Sequence, residues 1–128
     1  MSLLLDTHAF AWFFLGTGLP RSVRELIEDY EAEIFVSAIS AYEIALKYRL
    51  GLWPDAGPLV AEFDILTEQA HFQTLDVCAH HAIRAGLLAT VHRDPFDRII
   101  VAQAGAERLR IVSKDRQLGA LGAEVVWV

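Results

Sequence analysis

The chain has 128 residues, one cysteine, a formal charge of −6 and 54% hydrophobic residues, which predicts one domain over 1–128 with a sizeable core and no need of disulfides or a structural metal. The acidic balance argues against a protein that coats nucleic acid electrostatically, though not against an enzyme that grips phosphates locally. So high an apolar fraction predicts surface covered by another chain, as a homodimer or with an obligate partner.

The opening Met1-Ser-Leu-Leu-Leu-Asp6 has no basic n-region and meets an acid after three leucines, so neither a signal peptide nor a membrane span is expected and the cytoplasm is the expected location. Residues 2–5 form a short apolar run, the pattern of a strand buried on both faces of a parallel sheet. Asp6 then stands at the strand's carboxyl end, the edge where open α/β sheets bind ligands. His8 to Leu15 is dense in aromatic residues (Phe10, Trp12, Phe13, Phe14), more than one face of a short helix can bury, and stops at Gly16-Thr17-Gly18. Pro20 opens an amphipathic helix through Tyr30, with Val23, Leu26, Ile27 and Tyr30 on its apolar side. Residues 33–37 read as a second strand. Ser40-Ala-Tyr-Glu43 has capping-box spacing and leads a helix through Leu50 closed by Gly51.

Residues 53–58 are a turn, and Leu59 to Ala70 is predicted as a helix with Val60, Phe63, Ile65, Leu66 and Ala70 on its apolar face. A third strand is expected at 72–75, with Asp76 capping a helix from Val77 to about Leu88 in which Cys78 is a small buried hydrophobe of a reducing compartment. His80 and His81 are adjacent and point about 100° apart, so they cannot form an i, i+4 metal pair; with His71 they are expected at the surface or behind a site. In His92-Arg-Asp94-Pro-Phe-Asp97-Arg98, Asp94 suits the N-cap, Pro95 the first helical position and Asp97 the third. The apolar run after it predicts a helix packed inside the fold. Residues 110–113 read as a strand ending in Lys114-Asp115-Arg116, a short helix follows through Leu121, and 124–128 is a final strand. Alternation of this kind implies a mainly parallel sheet with helices on both faces, the α/β class.

Asp6, Glu43 and Asp115 each follow a predicted strand, and Asp94 and Asp97 open a helix crossing the same edge. Each acid alone has a structural explanation as a cap or turn residue. Together they are costly: two carboxylates about 4 Å apart repel by roughly 4 kcal/mol at an effective dielectric near 20. A hard divalent ion, Mg²⁺ or Mn²⁺, is the natural counterweight, and such a site activates water and steadies developing charge on a phosphoryl group. Arg93, Arg98, Lys114 and Arg116 flank the acids, and Lys47 and Arg49 follow Glu43. Some of these bases are candidates for holding substrate phosphates.

The segments Leu3-Leu-Leu-Asp6-Thr-His8, Ser37-Ala-Ile-Ser-Ala-Tyr-Glu43, His92 to Ala104 and Ile111-Val-Ser-Lys-Asp115 resemble those of PIN-domain ribonucleases, more closely the VapC toxins of bacterial type II toxin–antitoxin modules. The resemblance covers essentially the whole chain, and its most specific block is Asp94-Pro-Phe-Asp97-Arg98. It implies a PIN-like three-layer α/β/α sandwich. It also implies metal-binding and catalytic roles for Asp6, Asp97, Glu43 and Asp115, with Asp94 a cap, an accessory ligand or both. Ser113 stands where relatives carry a hydroxyl that helps bind phosphate or water; Arg98, Arg116 and Lys47 are the other substrate-binding candidates. A homodimer, a VapB-like antitoxin and an RNA substrate complete what the resemblance implies. Two other readings compete: a binding module whose acids only cap helices, and an aspartyl phosphotransferase using Asp6, whose chemistry calls for a second acid where this chain has His8.

Overall fold

Period-two burial sorts the strands. In β1 (Ser2–Leu5), Leu3 and Leu5 face one cluster and Leu4 the other; in β2 (Glu33–Ser37), Ile34 and Val36 join the first and Phe35 the second. The computed structural model describes residues 1–89 and 92–128. Among them, β1 and β2 are joined by β3 (Gln73–Leu75), β4 (Arg110–Val112) and β5 (Val125–Val126) in one five-stranded sheet of order β3-β2-β1-β4-β5, every pairing parallel. Leu3, Leu4 and Leu5 are fully buried, as a central strand requires when both faces are covered.

On one face lie α1 (Thr7–Leu15), α2 (Arg21–Glu28) and α3 (Ala38–Arg49), which bury Phe10, Val23, Ile27 and Ile44 against Leu3, Leu5, Val36 and Val112. The other face is covered by the helix of the Asp-Pro-Phe-Asp block and by the 3-10 segment Arg116–Leu121, which set Ile100, Val101, Ala104, Leu118 and Leu121 against Leu4 and Ile111. This is the three-layer α/β/α arrangement. Chain order reverses between β1 and β4, so a crevice opens at their carboxyl ends. No helix among the described residues is long and apolar enough to cross a membrane.

Several local expectations are corrected. The segment expected as one helix over 59–70 is two, α4 (Gly57–Ala61) and α5 (Phe63–Gln69), broken where Glu62 leaves helical geometry at φ −127° and ψ 24°. The break brings Phe63 onto Phe10, ring centroids 5.0 Å apart, while Val60 and Ile65 face solvent. Helix α2 ends at Glu28, and Tyr30 is exposed rather than part of the apolar face. Helix α6 (Ala79–Gly86) starts later than expected; Cys78, not Asp76, is its N-cap residue and is exposed, not buried. His81 is buried, its Nε2 3.0 Å from Glu107 and its Nδ1 accepting from the Cys78 N–H. It ties α6 to α7 (Pro95–Glu107). His71 and His80 are exposed, as expected.

Candidate active site

Asp6 leaves β1 where α1 begins, and its Oδ1 accepts the Ala9 N–H at 2.8 Å, capping that helix. Its backbone N–H donates to the Val112 carbonyl of β4, anchoring the residue across the crevice. The residue is 8% exposed. Burial pushes its pKa from 3.8 up to about 6, against a hydrogen bond from the Ser113 hydroxyl and the Ala9 cap, which pull the other way.

Glu43 is not half of a capping box. Helix α3 is capped by Ser37, whose hydroxyl accepts the Ile39 N–H at 3.0 Å, while Ser40 is buried and shares a 2.9 Å hydrogen bond with Thr7. Freed of the cap, Glu43 lies in the second turn, 4% exposed, its carboxylate paired with the Lys47 ammonium one turn on. That i, i+4 pairing leaves Lys47 beside the acids rather than in solvent.

Asp94 is the N-cap of α7, its Oδ1 accepting from Phe96 N–H at 2.9 Å and Asp97 N–H at 3.1 Å, with Pro95 at the first helical position. Asp97 caps nothing with its side chain; its Oδ2 lies 3.0 Å from His92 Nε2. Burial raises its pKa, as do the Asp94 and Glu43 carboxylates, while His92 opposes the rise. Asp115 caps the 3-10 segment through Gln117 N–H at 2.9 Å. Its own N–H donates to Ser113 Oγ at 3.0 Å. The fully buried Ser113 therefore links Asp6 to Asp115 and acts on the acids, with no surface of its own for substrate.

Asp6, Glu43, Asp94, Asp97 and Asp115 line one cleft of about 480 Å³, together with His8, Trp12, Lys47 and Lys114. Four separated stretches of chain thus deliver five carboxylates to the sheet's carboxyl edge. Among the described residues, no three His, Cys, Asp or Glu side chains converge tightly enough to hold an ion as they stand. Each acid is drawn aside by its own partner: a backbone cap, Lys47 or His92. The donor set itself, carboxylate oxygens with room for water, is that of a hard divalent cation. Two of its members, Asp6 and Asp97, have raised pKa values because burial outweighs the hydrogen bonds and the histidines, His8 and His92, that pull the other way.

The expected bases divide. Lys47 is in the cleft. Arg98 is not: its guanidinium donates to the carbonyls of His92 at 3.0 Å, Ala85 at 2.8 Å and Leu88 at 2.9 Å, fastening His92 and the end of α6 onto α7. Those bonds fix the planar fork against backbone and turn it from phosphate. Arg116 is exposed in the 3-10 segment and does not line the cleft. Sequence reasoning missed His8, Trp12 and His92. The first two are four residues apart on α1, the spacing that puts side chains on one helix face, and that signal was present. His92 had no periodic signal, since a loop carries it.

A family model for the PIN domain matches residues 3–124. The chain is 32% identical over 119 residues, 91% of its length and 89% of the other's, to Ribonuclease VapC22 of Mycobacterium tuberculosis. In structure it is similar to VapBC2 from Rickettsia felis bound to a DNA fragment from their promoter, with a TM-score of 0.71 at 17% identity over 98% of each chain. A toxin–antitoxin complex from Klebsiella pneumoniae gives a TM-score of 0.68 at 19% identity, over 97% of this chain and 95% of that one. The two structural likenesses bear on the fold; the sequence match carries the relationship further.

Proposed function

We propose that this chain, which belongs to the PIN-domain family, is a divalent-metal-dependent endoribonuclease, the toxin of a VapBC-type toxin–antitoxin pair. The observation that carries the reading is the gathering of five carboxylates in one cleft, in a chain 32% identical to a ribonuclease along most of its length. Asp6, Asp97, Glu43 and Asp115 are the residues that would hold Mg²⁺ or Mn²⁺, with Asp94 both a cap and an accessory ligand. A bound ion supplies Lewis acidity toward a phosphoryl oxygen and a more acidic water.

The chain's own residues do the rest. Ser113 holds Asp6 by its hydroxyl and Asp115 by accepting that residue's N–H, fixing two acids of the set against each other. His92 orients Asp97. Lys47 and Lys114, both in the cleft, are placed to meet phosphate oxygens that would otherwise approach a negative surface. The rest of the proposal is one PIN domain over 1–128, acting as a homodimer in the cytoplasm and held inactive by a VapB-like antitoxin. The named neighbours are toxin–antitoxin assemblies, and exposed apolar side chains such as Ile83 and Leu87 offer contact surface.

One observation favours the binding-module reading: Asp6, Asp94 and Asp115 each cap a helix. Glu43 and Asp97 do not cap, however, and both sit partly or fully buried in the same cleft. The test is cleavage of total RNA by the purified, partner-free chain with Mn²⁺, with Mg²⁺ and with chelator, beside Asp97→Asn. Metal-dependent fragments absent from the variant are expected. A parent chain that shows no cleavage and binds no Mn²⁺ would transfer the protein to the binding modules.

A further inference from the structure

Against the acidic cleft lies a second pocket of about 330 Å³, lined by His8, Trp12, Lys47, Leu52 and Trp53. It is continuous with the first, since His8, Trp12 and Lys47 line both. Its walls are rings. The exposed His8 imidazole stacks on Trp53, centroids 5.1 Å apart and planes 27° from parallel, and meets Trp12 at 5.4 Å and 52°.

The rings are held from behind. Trp127 contacts Trp12 edge-on at 6.2 Å. Gly18, at φ +88°, closes over the Trp12 ring so tightly that a Cβ there would lie 2.6 Å from it. Only glycine combines that backbone geometry with that approach. Trp53 packs against the core from the loop after α3. The fold therefore spends a constrained glycine and Trp127 on fixing the half-exposed Trp12 ring beside a charged cleft, and sets His8 between that ring and Trp53, which core packing alone does not require.

Resting on the nuclease reading above, we propose that His8, Trp12 and Trp53 form a stacking subsite for the nucleobase adjoining the scissile phosphate, with Lys47 and Lys114 facing the phosphates on either side. Single-stranded RNA is bound in this way elsewhere: cations follow the backbone while bases stack on aromatic faces. The cations and the shared wall with the acids favour a nucleotide over a protein side chain as occupant. Stacking of this kind tolerates any base, so the subsite positions the strand and leaves sequence choice to other contacts.

The probes are oligoadenylate and an abasic ribose-phosphate oligomer of equal length, titrated with Mg²⁺ into the Asp97→Asn chain while tryptophan emission is followed. Cleavage kinetics are measured in parallel on wild type, Trp53→Ala, Trp53→Phe and His8→Ala, with thermal melts as a folding check. Oligoadenylate should quench the emission and the abasic oligomer should not. Trp53→Ala and His8→Ala should raise KM about 5- to 100-fold and leave kcat within about twofold, because a stacked base is held alike in ground and transition states. Trp53→Phe should stay near wild type. If Trp53→Ala does not fold, the exposed His8 carries the kinetic test. Equal quenching by the abasic oligomer, or wild-type kinetics in His8→Ala, overturns the subsite and leaves the rings as a seat for a protein side chain; cleavage lost in Asp97→Asn would still support the nuclease. A wild-type chain that cuts no RNA overturns the nuclease reading instead, and base-dependent quenching alone then decides the subsite.

Discussion

Replacing Asp6 by Asn removes a negative charge from a place where burial already disfavours it. The residue is 8% exposed, and its carboxyl pKa is about 6 in the fold against 3.8 for the unperturbed group. A raised folded-state pKa means that protonation favours the fold. The contribution is complete below about pH 4 and is lost as pH rises through 6, so at neutral pH the ionised carboxylate costs up to about 3 kcal/mol. Asn carries no charge at any pH and keeps the cap, because its Oδ1 can accept the Ala9 N–H; the Ser113 hydroxyl can turn to accept from the amide. In chelator, Asp6→Asn should therefore melt higher than wild type above pH 7, by on the order of 10 °C, with the two curves converging near pH 4. Asp97 shifts in the same direction, but it is present in both proteins and largely cancels in the difference. Adding Mn²⁺ should invert the order: wild type gains stability by mass action and the variant gains little. Thermal melts across pH, with and without Mn²⁺, measure both effects. An Asn variant no more stable than wild type at neutral pH in chelator would refute the claim that the fold carries an uncompensated charge there.

Arg98→Ala strips donors from the carbonyls of His92, Ala85 and Leu88, and urea denaturation should show a loss of about 2–3 kcal/mol. The salt dependence of RNA binding should be unchanged; a shallower slope would return Arg98 to the phosphates. At Asp94, Asn keeps the cap and Ala loses it, so only Asp94→Ala should be less stable, by about 1 kcal/mol. Mn²⁺ affinity by calorimetry should fall in both, and wild-type affinity in both would make Asp94 a cap alone.

What the sequence could show depended on how local the cause was. The runs at β1 and β2 and the Asp94-Pro95 start of α7 are readable because burial on both faces and helix capping act over a few residues. Glu43 lines the cleft with the other acids, but the capping box that the Ser40-Glu43 spacing suggested does not form, since Thr7, 33 residues away, shares a hydrogen bond with the Ser40 hydroxyl. The same non-local competition explains His81, whose partners are Glu107 and Gln103 of α7, and which in turn holds the Cys78 N–H. Arg98 belongs with them. Its charge suggests phosphate, whereas the carbonyls of Ala85, Gly86, Leu88 and His92 decide otherwise, and no spacing rule encodes a clamp between a helix and the end of the helix before it.

The acids also have more in common than position. Asp6, Asp94 and Asp115 stand at the N-terminal ends of three helical segments, where the dipole favours an anion by about 0.3–1 kcal/mol each. That is small beside the up to about 3 kcal/mol that burial costs the ionised Asp6 carboxylate, so capping alone does not offset the cost of placing it in the cleft. Burial is the largest cause of the raised pKa values of Asp6 and Asp97, and neighbouring carboxylates add to it. Lys47 meets part of the deficit at Glu43 and His92 part of it at Asp97. Yet Asp6, the most deeply buried of the Asp carboxyls, is met among the described residues by a serine hydroxyl, a backbone N–H and the weaker pull of His8, all of which its burial outweighs. A fold selected for stability alone would place Asn or Ser there, since either would cap α1 without the buried charge. Retaining a carboxylate at the centre of the switch-point crevice is therefore the strongest physical argument that the site is built for a cation.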